Sequence, residues 1–383
     1  MMQNSLMQNS FIEKLKRLNI AYIVIVCLLG AIGVTMLYSA AHGSWSPYAE
    51  RHLVRFAMGL GLAIFIAFLP LRLVFKMSYL VYFAAIVMLA LVQVMGVTAG
   101  GATRWLDLGI RVQPSELAKI GIVLAAARFY HQRQTDTIRS FSAVVFVAVG
   151  ILIPALLTVI QPDLGTCLLL MMVGAGVMFF AGVPWGYFAS AVVAGLAFIP
   201  IAWNFLLHDY QKGRVLTFLD PSRDPLGAGY HIIQSKIAIG SAGFWGKGFM
   251  QGSQSQLQFL PEKHTDFIFT LLTEDFGAAG AIVVIGLYIA LILMGVYMAM
   301  RNLNQYCSLV IAGVTTTLFV YAFINMAMVM GLMPVVGLPL PFLSYGGTSL
   351  LTLMVSLGLV LNMDLNRYNH LPGASGLSSG RYF

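Results

Sequence analysis

Residues 260–300 read LPEKHTDFIFTLLTEDFGAAGAIVVIGLYIALILMGVYMAM. The second part, 276–300, is apolar without interruption and reaches the roughly 20 residues that a helix needs to cross a bilayer. The first part presses Glu262, Lys263, His264 and Asp266 against Phe267, Ile268, Phe269, Leu271 and Leu272, in a chain that is only 9% charged. A carboxylate at the edge of hydrocarbon is costly unless a partner or a task keeps it there, which makes Asp266 the first functional candidate. Aspartate also caps helices that follow it, or pairs with a cation such as Lys263, so residue chemistry alone leaves both readings open.

Working outward, comparable apolar stretches recur at 20–40, 54–71, 78–97, 114–130, 141–160, 164–181, 183–205, 307–330 and 345–363. The 383 residues are 59% hydrophobic with a mean hydropathy of +0.85, well above the roughly 45–50% apolar content of soluble domains. Runs this long bond their backbone internally as helices, whereas barrel strands are short and alternate. The expectation is an all-α integral membrane protein: a bundle of about ten transmembrane helices forming a single polytopic domain over 1–383.

Cys27, Cys167 and Cys307 all fall inside apolar runs. They supply neither a disulfide framework nor a metal-ligand spacing. The first run is too long for a signal-peptide core and reads as an uncleaved anchor. Before it, Phe11, Leu15 and Leu18 share a helical face beside Lys14, Lys16 and Arg17, the pattern of a short helix on the inner leaflet. A net charge of +8 without a basic stripe of interleaved aromatics gives no support to nucleic-acid binding. Topology accounts for the cations instead. With the N-terminus inside, Arg72, Lys76, Arg128, Arg133, Arg139, Arg301, Arg367 and Arg381 join the N-terminal cations on the cytoplasmic side. Both tails, 1–19 and 364–383, are then cytoplasmic, and 206–264 is one large extracytoplasmic loop carrying the EKHTD cluster outside.

That loop is too short and too rich in Gly, Ser and Gln to fold alone, so it must lean on the bundle. Within it, 231–249 mixes Ile232, Ile233, Ile237 and Phe244 with Gln234, Lys236 and Lys247, as an amphipathic or re-entrant piece would. A second irregular stretch, MPVVGLPLPFLSYGGTS at 333–349, cannot remain helical. Such backbone is tolerated at membrane depth where it lines a cavity, so it is expected to wall a pocket on the outer side. No internal repeat is visible, which weakens a secondary-transporter plan.

Other candidates carry two readings each. Glu116 and Lys119 share a helix face and form an intramembrane ion pair, for function or for helix packing. Arg104 and Arg111 bind anionic groups or are loop cations at the lipid headgroups. Asp163 reads as a helix start. His264 with Asp266 lacks a third ligand at metal spacing, serine nucleophile motifs are absent, and no phosphate-binding glycine loop occurs.

At LPEKHTDFIF the chain resembles the SEDS family (shape, elongation, division and sporulation), bacterial membrane proteins that polymerise peptidoglycan. GRVLTFLDPSRDPLGAGYHIIQSKIAIGSAGFWGKGF (213–249), TRWLDLG with QPSELAK (103–119), QPDLGT (161–166) and LPLPFLSYGGTS (338–349) resemble family signatures in the family's order. The wording around 252–267 is similar to the elongation branch more than to the division branch. The resemblance implies a ten-helix bundle and a glycosyltransferase acting on lipid II, the undecaprenyl-pyrophosphate-linked disaccharide pentapeptide. It implies that Asp266 carries the essential carboxylate, and that Trp105, Glu116 and Lys119 belong to the outer cavity or its packing. It also implies a class B penicillin-binding protein as transpeptidase partner, in the bacterial plasma membrane.

On this reading Asp266 is the general base toward the sugar hydroxyl, and Arg104, Arg111, Lys119, Arg214 and Lys263 are the cations available to the pyrophosphate. A divalent cation could share that task. Two alternatives remain open in the sequence: a lipid II flippase, and a non-catalytic scaffold for a transpeptidase.

Overall fold

The computed structural model describes residues 16–371 apart from 100–101, 108, 110, 134, 225–226 and 257–262. Glu262 and most of the expected N-terminal interfacial helix lie outside the described residues, as does the tail beyond 371.

A long helix occupies each of the apolar stretches. These are α1 (Ile20–Ala40), α2 (Tyr48–Ala67), α3 (Leu71–Met95), α4 (Pro114–His131), α5 (Phe141–Ile160), α6 (Leu164–Phe180) and α7 (Trp185–Ile201). After two shorter helices, α8 (Asp209–Leu219) and α9 (Ala228–Ser241), come α10 (Ile268–Met300), α11 (Gln305–Val329) and α12 (Thr348–Leu365). Among the described residues seven helices are long and apolar enough to cross a membrane. Of the other long ones, α6 has only 17 residues, while α2 and α4 carry charges along their length, Arg51 and Arg55 on one and Glu116, Lys119 and Arg128 on the other.

Local chemistry sets the boundaries. Asn19, Ser140, Asp163 and Asn304 each accept a backbone N–H in the first turn of α1, α5, α6 and α11, satisfying donors that a helix start leaves orphaned. Pro114 opens α4 at a position where its missing N–H costs nothing. The helix expected over 276–300 begins earlier, at Ile268, and kinks at Gly277, whose φ of 68° breaks the regular ladder. The displaced donors find new acceptors: Ala278 and Ala279 donate to the carbonyls of Gly243 and Phe244 at 3.0 Å.

The centre of the bundle is α11, buried on nearly every side and packed among α4, α6, α10 and α12. Between membrane helices, close backbone approach replaces hydrophobic driving force. The α2–α12 contact illustrates this, since a Cβ on Gly358 would stand 2.7 Å from the Ala63 carbonyl. At the other extreme α7 buries none of its residues.

Two features add detail to the helical architecture. A three-stranded antiparallel sheet, β1 (Val97–Ala99), β2 (Ala102–Asp107) and β3 (Arg111–Val112), lies between α3 and α4. Its register sets Val97 opposite Trp105 and Asp107 opposite Arg111. Six residues of mixed polarity are too few for hydropathy to separate such a strand from a loop. The 206–264 segment is also more structured than a loop. There α9 leans on the bundle through Ser235, whose hydroxyl lies 2.7 Å from both the Thr270 hydroxyl and the Val329 carbonyl.

The two ends of the bundle hold different polar groups. One end gathers Arg301 against Asp364 at 2.6 Å, Arg128 donating to the carbonyls of Phe75 and Lys76, and Asn362 donating to those of Ile66, Ala67 and Leu69. Residues 263–268 and the Pro/Gly stretch 333–349 lie at the other end.

Candidate functional site

The chain turns over 263–267 before α10, and Phe267 holds the cap position with no side-chain capping bond. Asp266, one residue earlier, borders a cavity of about 210 Å³. Arg104 and Trp105 of β2, Gln113 and Glu116 at the start of α4, and Asp163 and Thr166 at the start of α6 form one part of the wall. Residues 336–339 and 345–349 form the rest, so the Pro/Gly stretch does wall a pocket.

Backbone clamps hold the Asp266 segment to that stretch. Asn325, fully buried on α11, donates to the Asp266 carbonyl at 2.9 Å and to the Leu338 carbonyl at 2.7 Å. The Ser344 hydroxyl donates to the Thr265 carbonyl at 2.6 Å, and the Tyr345 N–H to the His264 carbonyl at 2.9 Å. The His264 ring stacks on Tyr48, centroids 4.4 Å apart. Gly337 lies beside the carboxylate: a Cβ there would stand 3.5 Å from Asp266 Oδ2, on a backbone with φ of 78°.

The charged wall is mostly compensated. Arg104 Nε lies 3.2 Å from Asp163 Oδ2 without the alignment of a hydrogen bond. Asp163 also accepts from the Thr166 backbone and hydroxyl, so it caps α6 and holds Arg104 together. Lys119 pairs with Glu116 at 2.6 Å, and Tyr321 donates to Glu116 at 2.9 Å while its hydroxyl also contacts Lys119. Glu116 lines both the Asp266 cavity and a second space of about 10 Å³, and Lys119 lines the second.

The remaining predicted cations do not line the Asp266 cavity. Arg214, on α8, donates to the Val335 carbonyl at 3.3 Å and braces the cavity wall from behind. Arg111 is 69% exposed and 4.0 Å from Asp107. Lys263 is turned toward His42, 3.3 Å away. Burial pulls its ammonium below the ordinary lysine value, while Asp275 and Glu274 oppose that shift. Those two carboxylates are almost fully buried and belong to a separate latch: Lys247 pairs with Glu274 at 2.8 Å, and Ser39 donates to Asp275 at 2.7 Å.

Sequence reasoning missed Asn325, the Tyr48–His264–Tyr345 stack, and Arg55 beside Tyr345. A buried amide within the apolar run INMAMV was a readable signal for the first. Among the described residues no group of three or more His, Cys, Asp or Glu is arranged to hold a metal ion.

Comparison with known proteins follows the same geometry. The family model of FtsW, RodA and SpoVE, described as cell cycle protein, matches residues 19–369. The chain is 45% identical over 338 residues to the peptidoglycan glycosyltransferase MrdB of Escherichia coli K12, covering 87% of this chain and 91% of that protein. A chain from a peptidoglycan synthase complex that coordinates polymerization and crosslinking superposes with a TM-score of 0.80 at 34% identity, covering 92% of this chain and 99% of that one. The rod shape determining protein RodA of Thermus thermophilus gives 0.68 at 28% identity, covering 92% and 98%.

Proposed function

The chain belongs to the FtsW, RodA and SpoVE family of cell cycle proteins, and on that premise we propose that it is a peptidoglycan glycosyltransferase that polymerises lipid II, with Asp266 as general base. The observation that carries this reading is the cavity joining Asp266 to Arg104, Trp105, Gln113 and Glu116. A carboxylate at the wall of a polar cavity, its backbone fixed by Asn325 and Ser344, suits proton removal from a hydroxyl held within hydrogen-bond reach. The acceptor oxygen gives its proton to Asp266 and forms the new bond to the donor sugar carbon. The bond from that carbon to the diphosphate breaks, and its electron pair leaves with undecaprenyl diphosphate.

One base suffices for such a displacement, with inversion at the carbon. Arg104 and the polar end of Glu116 orient the saccharide within the cavity, while a partly dry site strengthens every charge interaction there. The Glu116–Lys119–Tyr321 cluster supports polymerisation over passage of a headgroup, because the space beyond Glu116 narrows to about 10 Å³.

The ten long helices are ten membrane spans with both termini cytoplasmic. The cations of the helix ends, connecting segments and tails, Arg72, Lys76, Arg133, Arg139 and Arg367 among them, support this orientation, which turns the Asp266 cavity to the outer face of the bacterial plasma membrane. Elongation of the wall is the cellular process, and a class B penicillin-binding protein is the crosslinking partner. The name of the Escherichia coli relative and the synthase complex among the structural relatives support the activity and the partner respectively.

The test gives purified protein, with its partner present, labelled lipid II in detergent and resolves the glycan products on a gel. Polymer from the native chain and about 100-fold less or none from Asp266→Asn is the expected result. Undiminished polymer from the Asn variant removes the base assignment.

A further inference from the structure

Arg55 lies on α2, within one of the apolar runs, and is half-buried. Its guanidinium carbon stands 5.2 Å from the centre of the Tyr345 ring and 3.6 Å from the point that a Cβ on Gly347 would occupy. Tyr345 and Gly347 are both walls of the Asp266 cavity, so the cation sits at its edge.

Arg55 differs from Arg104, Lys119 and Lys247 in having no acidic partner among the described residues. Among the described residues Arg104 pairs with Asp163, Lys119 with Glu116 and Lys247 with Glu274, and no carboxylate forms an ion pair with Arg55. His52, one turn earlier on α2, spends its Nε2 on the Phe342 carbonyl at 3.1 Å and supplies no negative charge. A cation held against protein at membrane depth without a counter-charge is costly, and it marks a place where an anion arrives. The adjoining wall has the same polarity. The 18-residue helix α12 begins at Thr348 with no side-chain cap, which adds the positive end of its dipole beside the guanidinium.

Resting on the polymerase reading above, we propose that Arg55 binds the diphosphate of the polyprenyl-linked substrate at this edge of the cavity. A planar guanidinium matches phosphate oxygens in pairs, and the Tyr345 ring fixes its plane. Arg55 offsets the charge that the departing diphosphate gains, while Asp266 serves the acceptor hydroxyl.

The test is equilibrium binding of undecaprenyl diphosphate to the full chain in nanodiscs of zwitterionic lipid, which requires no turnover. Arg55→Gln should weaken binding about tenfold, the effect of losing a charged hydrogen bond. Arg55→Lys should recover part of that loss by restoring the charge. Unchanged binding by Arg55→Gln overturns the proposal, as does a weakening that Arg55→Lys fails to repair, which marks a structural role. A parallel titration with phosphatidylglycerol separates the sources of phosphate. If Arg55→Gln reduces affinity for that lipid and leaves undecaprenyl diphosphate untouched, the residue contacts bulk headgroups and the proposal fails. A native chain that binds the diphosphate through Arg55 yet makes no glycan polymer sinks the polymerase reading instead.

Discussion

Glu116 and Asp266 both border the same cavity, yet their surroundings are opposite in kind. The Glu116 carboxylate is nearly enclosed, taken up by Lys119 one turn further along α4 and by Tyr321 of α11. Asp266 projects from a turn, with its neighbours gripping its backbone through Asn325 and the small Gly337 standing before its carboxylate. A charge whose partners are built into the fold holds helices together. A carboxylate at the wall of a cavity, on a backbone fixed by Asn325, is placed within reach of what enters that cavity.

The largest expected effect breaks the comparison from the Asp266 side. Asp266→Asn lowers polymerisation by about 10²–10⁴-fold with the thermal midpoint in detergent unmoved. A large fall in the midpoint would make Asp266 another structural charge.

Next comes the other side: Lys119→Met leaves Glu116 in a buried site without its cation and should cost about 3–5 kcal/mol, read as a lower midpoint or poor recovery of folded protein. Adding Glu116→Gln to that variant removes the uncompensated charge and should restore part of the stability. Absence of any rescue in the double variant would argue that Glu116 works independently of Lys119.

Asn325→Ala sharpens the clamp argument. It removes donors to two carbonyls, about 1–3 kcal/mol for buried groups left unsatisfied, and should slow turnover while the KM for lipid II stays close to native. An effect on KM alone would assign Asn325 to substrate contact. The smallest change is expected from Arg214→Gln, which deletes one hydrogen bond behind the wall at Val335. A loss of activity of about tenfold or less is consistent with roughly 1 kcal/mol; a larger one would place Arg214 on the substrate.

Much of the fold was legible before any coordinates, because runs such as 276–300 and 307–330 permit little besides a membrane helix. Long-range contacts were not legible. Nothing in the local sequence of Asn325 points to the Asp266 carbonyl, 59 positions away, and nothing at Lys263 indicates that it faces His42 across 221 positions. Proximity along the chain is a poor guide: Lys263, three residues before Asp266, reaches His42, while Arg104, remote in sequence, lines the cavity. Arg55 was hidden because a lone cation within an apolar run looks like any residue near a helix end.

The sequence by itself determined that this chain dissolves in a bilayer as helices, since hydropathy is a local property and an unpaired backbone is intolerable in lipid. It also marked Asp266, the Glu116–Lys119 pair and the Pro/Gly stretch as departures from that rule. The tertiary structure alone decided which of these share a cavity and which cations already have partners. Charge compensation depends on distances between residues remote in the chain, and those distances exist only once the helices have packed.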